Sequence, residues 1–314
     1  MAVNLEPSTL GKFPDLEIPG KTSGIKLHQL LGRGGWSEVY RAHSGAQELA
    51  LKVLSTDHLS AVDRERFRRE FQLLQQLTHP ALVTGYELGE FHGRVYYTME
   101  LVRGQSFVDY VSEHPESLVG LVTQLLEVLE YIHSQGIIHR DLKPDNLLVQ
   151  ADGRLRLLDF GVARPVHDLR HMTRTGAVLG TPAYMSPEQI KGDPLDERTD
   201  LYSVGVLVHE AVTGHTPFDP SSVERLIYQI LYEDPPELGG LAEPELGCLI
   251  SWLLQKNPVD RPASVSLALR KLRRESPGCI KRPGSRLRFL RAHVGSWWTF
   301  MAGLSVGVAG WFFF

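Results

Sequence analysis

Eight consecutive residues, His139-Arg140-Asp141-Leu142-Lys143-Pro144-Asp145-Asn146, are followed by Asp159-Phe160-Gly161, which begins thirteen positions after Asn146. Few chemistries use these residue types at these intervals. An Asp on a tight loop can orient a hydroxyl and take its proton. An Asn five residues on can hold a metal ion, and a second Asp, on the turn after a short strand, can place metal between two phosphates. Asp141, Asn146 and Asp159 stand at those positions. The set is a parts list for moving a phosphoryl group from ATP to an alcohol. A polar turn after a helix would need none of this order.

The chain has 314 residues, 42% hydrophobic and 22% charged, which is enough for two lobes and a sizeable core. Residues 1–24 hold Pro7, Pro14 and Pro19 without sustained periodicity, and read as a flexible leader. The opening Met1-Ala2-Val3-Asn4 has neither the basic nor the apolar run of a cleaved signal peptide. Residues 25–31, 37–42 and 48–54 read as strands joined by Gly-bearing turns, and 95–101 as another. Phe67, Phe71, Leu74 and Leu77 recur at helical spacing over 64–77. From residue 117 onward helices dominate, with 118–134, 201–212, 223–231 and 246–255 the clearest.

The last 21 residues, 294–314, carry no charge. As a helix they would span about 31 Å, close to a bilayer core of about 30 Å. Trp297, Trp298 and Trp311 sit near its two ends, as in interfacial belts. Nine Lys/Arg and one acid, Glu275, lie between Arg270 and Arg291. The spacing predicts a basic juxtamembrane linker over 275–293 and a transmembrane helix over 294–314, with the preceding domain on the cytoplasmic face of the cytoplasmic membrane. The basic stretch would face anionic headgroups rather than nucleic acid, since it abuts the predicted anchor. Gly303 and Gly307 form a GxxxG pair that would let two such helices pack as a homodimer.

Gly32-Arg33-Gly34-Gly35-Trp36-Ser37 lies between two predicted strands, where glycines let backbone N–H groups fold over phosphates. Val39 and Leu49-Ala50-Leu51-Lys52 follow it. With the two motifs above, residues 25–274 resemble the eukaryotic-type protein kinase family, and the domain plan looks like that of bacterial membrane-anchored Ser/Thr kinases. The resemblance implies an α+β, two-lobed kinase fold: a small antiparallel-sheet N-lobe with one main helix over 25–102, and a larger helical C-lobe over 103–274. It implies ATP and Mg²⁺ as cofactors and protein Ser/Thr hydroxyls as acceptors.

Residue by residue, the resemblance makes Asp141 the base and pairs Lys143 with the transferring phosphate. It assigns Mg²⁺ to Asn146 and Asp159, and the α- and β-phosphates to Lys52 with Glu70 as its counter-charge. Leu31, Val39, Ala50 and Leu148 would sandwich adenine. Gly32 and Gly34 would cover the phosphates. Met99 would be the pocket gatekeeper, ahead of a hinge over 100–102 that begins at Glu100 and ends at Val102. His139 would pack on Phe160, Asp200 would brace the catalytic loop, and Glu188 with Arg261 would form a buried structural pair. Thr173 and Thr175 fall where related kinases autophosphorylate in trans, with Arg140 ready to take the phosphate. Thr181 would line the substrate loop.

Two departures stand out. Ser37 replaces the third glycine of the loop, and Gly85 falls where the family places an apolar residue of its internal spine. They are the only support for a rival reading, a membrane-anchored pseudokinase scaffold without phosphoryl transfer. A small-molecule kinase of similar fold is disfavoured by Lys143 and by the 180–188 segment.

Overall fold

A computed structural model describes residues 17–18, 24–34, 36–55, 60–160, 182–236, 238 and 244–273. Thr173, Thr175, Thr181, the basic stretch 275–293 and the apolar segment 294–314, with Gly303 and Gly307, lie outside the described residues. Among the described residues no helix is long and apolar enough to cross a membrane.

The N-terminal lobe is a six-stranded antiparallel sheet. Its strands are β1 (Glu17–Ile18), β2 (Ile25–Arg33), β3 (Ser37–Ser44), β4 (Gln47–Leu54), β5 (Gly85–Phe91) and β6 (Arg94–Met99), in the order β1-β2-β3-β4-β6-β5. The leader is therefore not wholly without structure. Ile18 is buried and pairs with Ile25, because an apolar residue in alternation can extend the sheet edge. Period-two alternation splits the sheet into two faces. Ile25, Leu27, Tyr40, Leu49, Leu51 and Tyr96 form a core on one face. Ala50, Tyr97 and Met99 join the main core on the other.

Helix α1 (Ala61–Gln76) packs on that second face through Phe67, Phe71 and Leu74. Ser60 caps it with a capping box to Asp63. Phe71 also explains Gly85. A Cβ on Gly85 would lie 3.1 Å from the Phe71 ring and 3.2 Å from Leu74 Cβ. The spine position that lacks a side chain is thus filled from the helix.

Among the described residues the C-terminal lobe holds a small sheet, β7 (Gln105–Ser106), β8 (Leu147–Val149) and β9 (Leu155–Leu157), and the helices α2 (Phe107–Glu113), α3 (Leu118–Ser134), α4 (Pro187–Lys191), α5 (Arg198–Thr213), α6 (Val223–Tyr232) and α7 (Pro244–Leu253). A further helix, α8 (Val265–Leu272), packs across α3. The predicted span 118–134 coincides with α3, whose Leu125, Leu126, Leu129 and Ile132 are wholly buried. Helix α5 is buried on every side from Thr199 to His209, and Gly214, left-handed at φ 77°, ends it. The buried middle of this lobe is a rigid floor under the loop that joins α3 to β8.

Candidate active site

The loop 135–146 leaves α3, turns under the sheet and enters β8. Its shape is set from below by Asp200, in the first turn of α5. One Asp200 oxygen, Oδ2, accepts the His139 backbone N–H at 2.8 Å, and Oδ1 accepts that of Arg140 at 2.8 Å. His133 Nε2, on α3, lies 2.8 Å from Oδ2. Burial pulls the Asp200 carboxyl upward, but the His133 contact and the backbone donors outweigh it and hold it below its ordinary range. Arg140 takes the left-handed conformation, φ 70°. An arginine held there costs backbone energy that the two bonds to Asp200 offset. His139 is fully buried with its ring 5.3 Å from that of Phe160. Burial pushes its imidazole down, so it is neutral packing rather than a proton carrier.

The loop then presents its chemistry. The Asn146 amide donates to the Asp141 carbonyl at 2.7 Å and to Asp141 Oδ2 at 3.1 Å. Lys143 Nζ lies 3.4 Å from the same Oδ2. Asp141, Lys143 and Asn146 thus converge on one point. The amide nitrogen of Asn146 is committed to Asp141, which leaves its oxygen for a hard cation.

Lys52 on β4 meets two carboxylates. Its Nζ lies 2.8 Å from Glu70 Oε1, on α1, and 2.8 Å from Asp159 Oδ2. Burial alone would push this ammonium down, but Asp159 and Glu70 outweigh it and hold it well above its usual value. Lys52 is therefore a fixed positive charge. Asp159 Oδ1 is buried with no hydrogen-bond partner among the described residues. Among the described residues no group of three or more His, Cys, Asp or Glu is set to hold a metal. Asp159 and Asn146 each keep a side-chain oxygen that fits Mg²⁺, which takes one or two protein oxygens and completes its shell with phosphates and water.

The cleft between the lobes is apolar. Ala50 and Met99 are buried register partners on β4 and β6, and Val39 and Leu148 are half-buried. Leu31 is 47% exposed, an apolar side chain with no protein cover. A Cβ on Gly32 would meet nothing within 4 Å, and on Gly34 only Ser37 O at 3.6 Å. No protein atom demands glycine at either position, so the open space above them suits a ligand. At the hinge the Glu100 side chain turns away from the cleft to Arg156 on β9, at 2.8 and 2.5 Å, and its N–H donates to Thr84 O at 2.9 Å. Only its carbonyl remains for a base edge. The Val102 N–H makes no backbone hydrogen bond among the described residues.

Glu188 and Arg261 form a bidentate pair, Nη1–Oε1 2.7 Å and Nη2–Oε2 2.8 Å. The neighbouring Gln189 amide donates to the Arg140 carbonyl at 2.9 Å, which ties α4 to the catalytic loop. Gln189, His133 and Arg156 are supporting residues that sequence reasoning did not find, because their partners lie between 49 and 67 positions away. Arg156 carried one faint signal, a cation inside the apolar triplet of a short strand.

A family model described as the protein kinase domain matches residues 25–271. The chain belongs to the protein kinase family. The kinase domain is 39% identical over 251 residues to the DNA damage-responsive serine/threonine-protein kinase RqkA of Deinococcus radiodurans, covering 76% of this chain and 37% of that protein. It is 37% identical over 276 residues to the serine/threonine-protein kinase pkn3 of Myxococcus xanthus, covering 81% and 50%. With the serine/threonine-protein kinase PknB of Mycobacterium leprae it shares 36% over 259 residues, covering 77% and 41%. The chain spans half or less of the length of these relatives' matched proteins.

Proposed function

We propose that the chain is a Ser/Thr protein kinase that transfers the ATP γ-phosphoryl group to protein hydroxyls. The observation that carries this is a pair of clusters, Asp141 with Lys143 and Asn146, and Lys52 with Glu70 and Asp159, tied together where the Leu158 N–H donates to the Asn146 carbonyl at 2.9 Å. Lys52 holds the α- and β-phosphates, and Glu70 keeps it from collapsing onto Asp159 alone. Asp141 orients the acceptor hydroxyl and takes its proton as the O–P bond forms. Lys143 neutralises charge on the moving group. Mg²⁺, held by Asn146 and Asp159, supplies neutralisation between the phosphates when bound. A recess of about 670 Å³ lined by Ala183, Tyr184, Glu210 and Phe218 offers room for side chains of a protein substrate. The pseudokinase reading loses half of its support, since Phe71 fills the space above Gly85.

The kinase is activated by trans-autophosphorylation at Thr173 and Thr175, with Arg140 as the phosphate's partner. Phosphosite mapping by mass spectrometry tests both statements. The full chain is incubated with Mg-ATP beside an Asp141→Asn control. Phosphate on Thr173 or Thr175, absent from the control, is the expected result. ATP binding without phosphate anywhere would favour the scaffold.

Residues 294–314 anchor the kinase to the cytoplasmic membrane, with 275–293 against anionic headgroups. A homodimer through Gly303 and Gly307 would raise the local concentration for trans-phosphorylation. The full chain should stay with phosphatidylglycerol-containing vesicles through an alkaline wash, whereas a chain ending at residue 293 should be released. Equal release of both would remove the anchor.

A further inference from the structure

The Gly-rich hairpin carries a cation, Arg33, between the two glycines that leave space for phosphates. A guanidinium there has five donors in a fork that suits phosphate. The structure sends it elsewhere. Arg33 stands opposite Glu38 in the β2–β3 register. Its Nε lies 2.7 Å from Glu38 Oε1, and the Tyr40 hydroxyl donates to Glu38 Oε2 at 2.8 Å. Both oxygens of a carboxylate only 4% exposed are thereby engaged.

Alternation along β3 decides the side on which this happens. Glu38 and Tyr40 share a face, and Val39 takes the other. Tyr40 belongs to the core of the outer face, with Ile25, Leu27 and Leu51. Val39 packs with the main core that contains Ala50 and Met99, on the cleft side. Glu38 therefore draws the Arg33 side chain to the face away from the nucleotide. Burial, helped by the acceptor Glu38, pushes the Tyr40 phenol up, so it remains a donor. The turn itself is closed by Gly34 N–H to Ser37 O at 2.8 Å, at the position where the loop lacks its third glycine.

We infer that Glu38 is a positioning residue for ATP-phosphate binding: it sequesters Arg33 on the outer face and holds β2 to β3 beside Gly32 and Gly34, so that the loop meets the phosphates with backbone alone. This rests on the reading of residues 32–37 as the phosphate loop. Removing the carboxylate charge breaks the Arg33–Glu38 tie across the turn and loosens the register next to both glycines. Val39, the neighbouring adenine-side residue, lies on the opposite face of β3 and stays packed in the main core, so nucleoside binding should fall less than nucleotide binding.

The test uses the full chain as wild type, Glu38→Gln, Tyr40→Phe, Arg33→Met and the Arg33→Met/Glu38→Gln pair. Equilibrium binding of ATP and of adenosine is measured beside kcat and KM for MgATP. Glu38→Gln should weaken ATP binding and raise KM by about five- to tenfold, the range of direct coupling between touching residues. Adenosine binding and kcat should stay within about twofold, and the Arg33→Met and Glu38→Gln effects should not add. Tyr40→Phe should shift ATP binding the same way by less. Equal weakening of ATP and adenosine, no weakening of either, or additive effects would each overturn the inference while the kinase reading stands. A wild type that binds neither ligand would overturn both.

Discussion

Asp141→Asn is expected to lower kcat by about 10²- to 10⁴-fold, the contribution of a positioned general base, while the Kd for MgATP changes little. The substitution keeps the size of the side chain and removes its capacity to take a proton. It also keeps most of the local bonding. The new amide can still present an oxygen to Asn146 Nδ2, now 3.1 Å from the carboxylate, and to Lys143 Nζ, now 3.4 Å away. The catalytic loop is held from beneath by Asp200, through the His139 and Arg140 backbone at 2.8 Å each, and those bonds are untouched. The loss should therefore appear in kcat alone. Steady-state turnover on a generic Ser/Thr protein, beside isothermal titration with MgATP, separates the two. Turnover within fivefold of wild type would remove Asp141 as the base. A parallel loss of ATP affinity would mean that the loop had shifted.

The site was more legible than the scaffold around it, and the reason is local chemistry. Asp141, Lys143 and Asn146 lie within six residues of one another, so one turn brings them together. A long, strongly apolar run marked α3, whose observed bounds match the predicted ones. Lys52 with Glu70 is a longer-range pair, 18 residues apart, and came only from resemblance. Short elements were harder. Helix α4 has five residues and α2 seven, too few to show a period. The role of Gly85 could not be read at all from the chain, since it depends on where α1 lays Phe71. Glu100 shows the same limit. The resemblance assigns the hinge backbone to the base edge and leaves the Glu100 carboxylate without a role; its partner, Arg156, is 56 positions away. Side-chain partners at that distance are settled by packing, not by pattern.

Arg261 is the place where packing and charge combine most strongly. Its Nη1 and Nη2 reach both Glu188 oxygens, and Nη1 also donates to Arg198 O at 2.8 Å. Its Nε donates to Gln255 O at 2.8 Å, and the guanidinium lies 4.9 Å from the Tyr202 ring. Glu188 also accepts the Thr199 hydroxyl at 3.0 Å, and a backbone N–H and the Ser186 side chain add to the bonds that hold it. Arg261→Met would leave a buried carboxylate without its counter-charge and strand three carbonyls, those of Arg198, Gln255 and Lys256. Breaking a buried pair from one side costs about 3–5 kcal/mol, which for a domain of this size lowers Tm by roughly 6–20 °C. Burial pulls the Glu188 carboxyl upward, but Arg261 outweighs it, and the carboxyl sits below its ordinary range. The wild type thus keeps this stabilisation above that range and loses it as pH falls through the depressed value. In Arg261→Met the sign reverses: burial unopposed raises Glu188, so protonation relieves the buried charge. The Tm deficit should be largest near neutral pH and shrink in acid, as thermal melts across pH 4 to 8 would reveal. Arg261→Met/Glu188→Leu, which removes both charges, should recover part of the loss. A deficit independent of pH, with no recovery in the double variant, would mean that Arg261 acts through its carbonyl contacts rather than through Glu188.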